Sequence, residues 1–442
     1  MASSARSFAR ERGFLDDTYI LGMRYVPSYS QSLRACAVAS LGRMMVMKNL
    51  RRYPRVYYEL LFIGFSIFLG MRLSGAFLPI LAKDLDPSGA LVGYVVSAWF
   101  LARVFIELPS GLISDRIGRR RLFMVGIALS AVGSLLCALA SSIYFLIVGR
   151  ALWGFGAALF FSNNTAILLD LFEPDQRGQA VGTFQGIEFI GSLIGAPIGA
   201  LLAEFTGYFF VFYITFGMIS FSCLLTFVSK ELKTIGAAPS HDAPAKPSLV
   251  ESLKSLMQWG LFVVCVISFA RMFVMNGVMS TVFPLYLHET VGFDVSLIGL
   301  VTAARTGGFT LATILSGHLS TRIGRKTTIL LGLVIEAICI SAYTLVDSLG
   351  IFISLGFVDG LGAGLVSVTL TILLSYLVKP EFRGISIGFF RTFMDVGGII
   401  GPVVFMDIAT HITIQAPFFG GTLVLFIMAG LLFTMKRESA EE

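Results

Sequence analysis

Charge is scarce in this chain. Only 14% of its 442 residues are Asp, Glu, Lys or Arg, against about a quarter in a soluble domain. That shortfall excludes a water-facing surface over most of the protein. Histidine is rarer still, with four copies, none in the middle of an apolar stretch, so no histidine proton relay is expected. The five cysteines (Cys36, Cys137, Cys223, Cys265, Cys339) are scattered and lack the spacing of a metal site or disulfide framework. They read as inert thiols, mostly inside apolar runs. No phosphate-binding loop and no nucleophile–base pair is present, which excludes ATP hydrolysis within the chain and argues against an enzyme. No cofactor is expected; a proton gradient is the expected energy source.

What is abundant is apolar. Hydrophobic residues make up 56% of the chain and the mean hydropathy is +0.83. Uncharged apolar stretches of about 18–20 residues are membrane spans. They occur near 57–82, 91–113, 122–141, 144–171, 179–204 and 206–229, and again near 259–287, 295–318, 328–346, 350–378, 385–410 and 415–435. The expected fold is an all-α membrane protein with twelve transmembrane helices, in halves 56–229 and 259–435. A polar linker, 230–258, with Pro239, Pro244 and Pro247, separates the halves, and 436–442 forms a tail. Residues 1–55 are polar and Arg-containing, without the apolar core of a secretory signal. They read as a disordered cytosolic tail, or as an over-extended start before Met44, Met45 or Met47.

The formal charge of +6 does not indicate nucleic acid, because the basic residues lie between spans rather than on one face. They set orientation instead. One side of the membrane holds clusters such as Lys48, Arg51, Arg52 and Arg55, then Arg116, Arg119, Arg120 and Arg121; the other holds Lys83 alone. Both termini and the linker are therefore expected in the cytosol. The expected partners are the lipid bilayer and a small-molecule solute, with the chain a monomer in the plasma membrane.

A duplication runs through the chain. GLISDRIGRRRLF (111–123) is nearly repeated as GHLSTRIGRKTTI (317–329), an offset of 206 residues, with Thr321 in place of Asp115. The same offset superposes Gly154 and Gly156 on Gly360 and Gly362, FEPDQRGQAVG (172–182) on VKPEFRGISIG (378–388), and Gly191 and Gly195 on Gly397 and Gly401. Six spans per half with a cytosolic linker give two parallel repeats about an axis along the membrane normal.

From about Tyr57 to Met435 the chain resembles the major facilitator superfamily. Gly111, Asp115, Arg116, Gly118, Arg119 and Arg120 match that superfamily's loop signature between spans two and three, with Ile113 where leucine is commonest. Arg150, Gly154 and Gly156 resemble its fourth-span motif. Gly191, Gly195 and Pro197 on span five, and Gly401 and Pro402 on span eleven, resemble its antiporter motif, Pro197 standing one place late. The resemblance implies transport by rocking of the halves. It also implies a cytosolic latch in which Asp115 meets the helix that opens near Gly384–Ser386, and Arg119 meets Asp170. The alternative is a topology signal without a gating role.

Six arginines fall inside spans: Arg72, Arg103, Arg150, Arg271, Arg305 and Arg391. Each costs about 2.5–3.5 kcal/mol at a helix centre and needs an acid partner or a polar cavity. Arg72 and Arg271, on spans one and seven, are read as solute contacts. Arg103 and Arg305, on spans two and eight, are further candidates, while Arg103 with Glu107 and Arg391 with Asp395, each one turn apart, read equally well as scaffold pairs. More guanidinium than carboxylate suits an anionic solute. Glu188 has no basic neighbour one turn away and is the first candidate for reversible protonation, with Glu107 and Asp395 as alternatives. Glu336 has no evident partner. The expected function is a proton-coupled secondary transporter of a small anionic or amphiphilic organic solute, with efflux favoured. The alternatives are a proton-coupled importer and a receptor-like member of the fold.

Overall fold

A computed structural model of the chain describes residues 54–435 apart from 231, 233–257 and 379–381. Residues 1–53 of the expected N-terminal tail, the whole expected C-terminal tail and nearly all of the expected linker lie outside the described residues. Among the described residues, ten helices are long and apolar enough to cross a membrane, and two shorter apolar stretches, Val92–Ile106 and Ala416–Leu432, complete the succession. Span two is the continuous helix Val92–Ile117, which ends in the charged loop motif. Span twelve, Ala416–Leu432, has only 17 residues.

The spans follow the hydropathy closely. Span one is broken into Arg55–Leu73 and Leu78–Leu85. Spans three to six are Arg119–Ala138, Ile143–Leu171, Pro174–Thr206 and Tyr208–Val228. Span seven runs over Trp259–Thr290. Spans eight to eleven are Val295–Ile323, Arg325–Ala342, Leu349–Leu377 and Arg383–His411.

Spans two and three meet at a single residue, Gly118, whose φ is 97°; spans eight and nine meet in the same way at Gly324, φ 87°. Only glycine adopts that backbone without strain, so the duplicated loop needs glycine there whatever its charges do. This end of the bundle, the motif end, also carries the first residues of span one and the last of span twelve.

Glycines set the spacing of the helices, and they do so twice. A Cβ at Gly126 would lie 2.8 Å from the Gly156 carbonyl, and one at Gly332 2.7 Å from the Gly362 carbonyl. Gly154 abuts the Trp99 carbonyl as Gly360 abuts that of Arg305. All these pairs obey the 206-residue offset. Spans one and seven depart from it: Gly191 abuts Phe65 while Gly397 abuts Phe269, and Gly195 abuts Leu69 while Gly401 abuts Phe273. The register there is two residues shorter. Arg72 then corresponds to Asn276, and Arg271 to Ile67.

The halves meet through spans two and eleven, and five and eight. Gly93 abuts Pro402 and Val403, and a Cβ at Gly299 would lie 3.3 Å from the Pro197 Cα. The antiporter-like motifs therefore divide their work. Their glycines let spans five and eleven close on spans one and seven, and their prolines stand at the seam between halves. Further along, the backbone N–H of Ser296 donates to Glu204 Oε2 at 3.3 Å. These contacts close the end opposite the motifs.

Candidate functional site

Between the halves lies a cavity of about 730 Å³. Its lining reaches Leu168, Val181, Leu374 and Ile387, each within two turns of the motif-end limit of its helix. It is approached from the motif end and roofed where the halves meet.

Arg72 enters this cavity from the last turn of the first half of span one. The helix breaks just beyond it, with Gly75 N–H bonded to the Arg72 carbonyl at 3.0 Å. The Arg72 side chain is exposed to the cavity and makes no hydrogen bond or ion pair among the described residues. Its counterpart Asn276, also in the lining, belongs to a π-helical stretch, Met275–Val282. Both spans thus lose regular α-helix at equivalent depth, where irregular turns commonly mark function.

Arg103 lines the roof and pairs with Asp395 across the halves, Nη1 to Oδ1 3.5 Å. Its guanidinium carbon also lies 4.7 Å from the Trp99 ring centre and 5.8 Å from that of Phe161. The one-turn partner expected for Arg103 was Glu107, whose side chain lies outside the described residues. Arg391 and Glu188 both line the cavity. Glu188 is half-buried, with no ion-pair partner among the described residues. Arg150 reaches the cavity wall beside Trp153, 5.4 Å from its ring centre, and its Nε is buried without a hydrogen-bond partner.

Two arginines expected at the solute are placed elsewhere. Arg271 is buried and bonded to Glu336 on span nine, Nε to Oε2 3.1 Å. This supplies the partner that Glu336 lacked. Arg305 is bonded to Asp359 on span ten, Nε to Oδ2 2.5 Å. Neither is among the residues lining the cavity. The physical reason for Arg271 is its register: it stands where span one has Ile67, a core position.

Sequence reasoning about charges passed over the amides and the soft apolar lining. Asn164 lines the cavity, 3% exposed, with Oδ1 unbonded. Four methionines, Met71, Met272, Met275 and Met394, share the wall with Phe68, Phe184 and Phe390. The signal for Asn164 was available: two adjacent asparagines inside FFSNNTAILL (160–169) are costly in a membrane unless a polar space receives them.

At the motif end Arg119 pairs with Asp170, joining spans three and four. Arg120 Nη2 donates to the Thr226 carbonyl at 3.0 Å and Lys326 Nζ to that of Met435 at 3.1 Å. The duplicated basic residues thus answer the open carbonyls that end spans six and twelve. The side chains of Asp115 and Arg116, the backbone neighbour Gly111 and the Gly384 contact expected of the latch lie outside the described residues.

The Major Facilitator Superfamily model matches residues 60–293 and 261–442. Multidrug resistance protein 2 of Bacillus subtilis (strain 168) is 24% identical over 393 residues, 88% of this chain and 98% of that protein. Quinolone resistance protein NorA of Staphylococcus aureus is 22% identical over 352 residues, 78% of this chain and 88% of that one. Among solved structures, a bacterial homologue of the human lysosomal transporter Spinster, inward-facing and occupied, superposes with a TM-score of 0.72 at 15% identity, covering 86% of this chain and 95% of that one. With repeated halves, a central cavity and a family match across both, the chain belongs to the Major Facilitator Superfamily and is a secondary transporter in a membrane.

Proposed function

We propose that the protein exports amphiphilic organic solutes bearing an anionic group, in exchange for protons. The observation that carries this reading is the charge of the cavity: among the described residues, Arg72, Arg103, Arg150 and Arg391 line it with two carboxylates, Glu188 and Asp395. One of those carboxylates is already engaged by Arg103. An anion entering the cavity finds the exposed guanidinium of Arg72, which suits carboxylate geometry. Phenylalanine and methionine walls accept apolar bodies of varied shape, because methionine repacks readily. The likeness to drug-resistance proteins favours export, as does the antiporter-like motif on spans five and eleven.

The motif end faces the cytosol in this reading, from the excess of Lys and Arg there. The described state is then inward-facing, in the plasma membrane, and one chain builds the whole cavity. Glu188 is the proton carrier proposed, being a cavity carboxylate outside any ion pair among the described residues. Purified protein in liposomes, with an imposed pH gradient, tests this. Gradient-driven flux of aromatic carboxylates, lost in Glu188→Gln and reduced at least tenfold in Arg72→Ala, is expected. Flux indifferent to the gradient sinks the exchange. An equal rate for a carboxylate and its methyl ester sinks the anionic preference.

A further inference from the structure

The charged pairs among the described membrane-span residues differ in what they join. Arg119–Asp170, Arg271–Glu336 and Arg305–Asp359 each lie within one half. Arg103–Asp395 ties span two to span eleven, one half to the other.

Its place along that seam is informative. Nearest the closed end, Gly93 lets the two backbones touch at Pro402. One turn inward, Ser97 Oγ donates to the Ile399 carbonyl at 2.5 Å. A Cβ at Gly398 would meet the Phe100 ring at 2.7 Å. Deeper still, the seam reaches Arg103 and Asp395, both in the cavity lining. Their side chains are 17% and 5% exposed, so a solute in the cavity rests against the pair.

We propose that Arg103–Asp395 is a clasp operated by the solute: an anionic group in the cavity takes Arg103, Asp395 passes to Arg391, and spans two and eleven are released from each other. The inference rests on the anionic-solute reading above. Arg103 need not move to change partners, since the Trp99 and Phe161 rings hold its guanidinium in place. Asp395 has Arg391 one helical turn away on its own span, also facing the cavity. Asp395 therefore keeps a guanidinium partner during the exchange, and the costly state of a lone buried carboxylate is avoided. Without a solute, the clasp favours the state in which the end opposite the motifs is shut.

Full-length protein in nanodiscs tests the clasp directly. Spin labels at Ala90→Cys and Thr413→Cys, with the native cysteines changed to alanine, report the separation of the halves at the closed end. Naphthoate is expected to raise the open fraction at least threefold, and its methyl ester to leave it unchanged. Arg103→Ala and Asp395→Asn are each expected to raise the open fraction at least fivefold with nothing bound. The reciprocal Arg103→Asp, Asp395→Arg protein should return to the wild-type distribution. Folded single variants with an unchanged distribution overturn the proposal. If the single variants do not fold, the swap decides: a wild-type distribution supports the clasp and a displaced one overturns it. Opening in the single variants with no naphthoate response in the wild type overturns operation by an anion. In that case gradient-driven ester flux in the liposomes of the transport assay would leave the transporter reading standing.

Discussion

The two halves share a backbone and differ in the chemistry that fills it. At the duplicated corner, Arg119 is paired with Asp170. Arg325, its equivalent, lies 3.4 Å from the ring centre of Tyr376, which stands in Asp170's place. Inside, the first half has Trp99, Ser130 and Trp153 where the second has Arg305, Glu336 and Asp359. Trp153 is fully buried in one half, and Glu336 and Asp359 nearly or fully so in the other. An aromatic core in one copy has become an ionic core in its twin. The same glycine contacts hold both, Gly154 on Trp99 and Gly360 on Arg305. Close backbone approach specifies this architecture, and the side chains between are free to change kind so long as polar groups are paired.

The largest effect expected from that difference is in the ionic half. Glu336→Leu leaves Arg271 buried without its anion, and breaking such a pair costs about 3–5 kcal/mol. Ser130→Ala, the matching change in the first half, removes one hydrogen bond to the Gly126 carbonyl and should cost about 1 kcal/mol. Removing both charges, with Arg271→Met and Glu336→Leu, is expected to recover most of the loss, because apolar replacements of a buried pair are often neutral. Denaturant midpoints followed by helicity in detergent measure all three. A double variant no more stable than Glu336→Leu would mean the second half needs charge and not merely volume.

Next in size is the shared framework. Gly154→Ala and Gly360→Ala each place a methyl against a backbone carbonyl, and overpacking of this kind costs about 1–3 kcal/mol. The two losses should agree within about 0.5 kcal/mol if the halves share one packing plan. A clear disagreement in the same unfolding assay would show that the contact is tolerated in one half only. For the solute, Arg72→Ala should weaken binding of an aromatic carboxylate at least tenfold, about 1.4 kcal/mol. Asn276→Ala, at the equivalent position, should change it less than threefold. Equal effects by calorimetry would place the anion between the two spans rather than at Arg72.

Much of this was legible in the sequence. The succession of spans, the repeat and the glycine turns at Gly118 and Gly324 follow from apolar length and from glycine at fixed spacing. The pairing of Arg119 with Asp170 followed from family likeness. The cavity was legible in part: Arg72, Arg103, Arg150, Glu188, Asp395 and Arg391 all reach it. Arg271 was misplaced because spans one and seven repeat two residues out of step with the rest. Two residues turn a helical side chain through about 200°, from a cavity wall to the opposite face. No charge count contains that rotation; only the contacts of Gly191 and Gly397 with span one and span seven reveal it. The exchange of Trp99 and Trp153 for Arg305 and Asp359 was likewise hidden, since pairing across two helices depends on their separation.

The smallest difference is also the most direct measure of what the two corners share. The Arg119–Asp170 side chains are 23% and 38% exposed, and exposed ion pairs contribute about 0–1 kcal/mol and weaken with salt. A guanidinium over an exposed aromatic ring contributes about 0.5–1 kcal/mol, and tyrosine brings no countercharge for salt to screen. Arg119→Ala should therefore cost less as salt is raised from 0.05 to roughly 0.5 M, where the Debye length falls to a few ångströms. Arg325→Ala should cost nearly the same at both concentrations. Exchanging the partners, Asp170→Tyr in one protein and Tyr376→Asp in another, should exchange the two salt responses. If the responses stay with the corner rather than with the partner, the backbone around each corner, such as the Ala166 carbonyl that Arg119 Nη1 meets at 3.4 Å, and not Asp170 or Tyr376, sets the energy of these arginines.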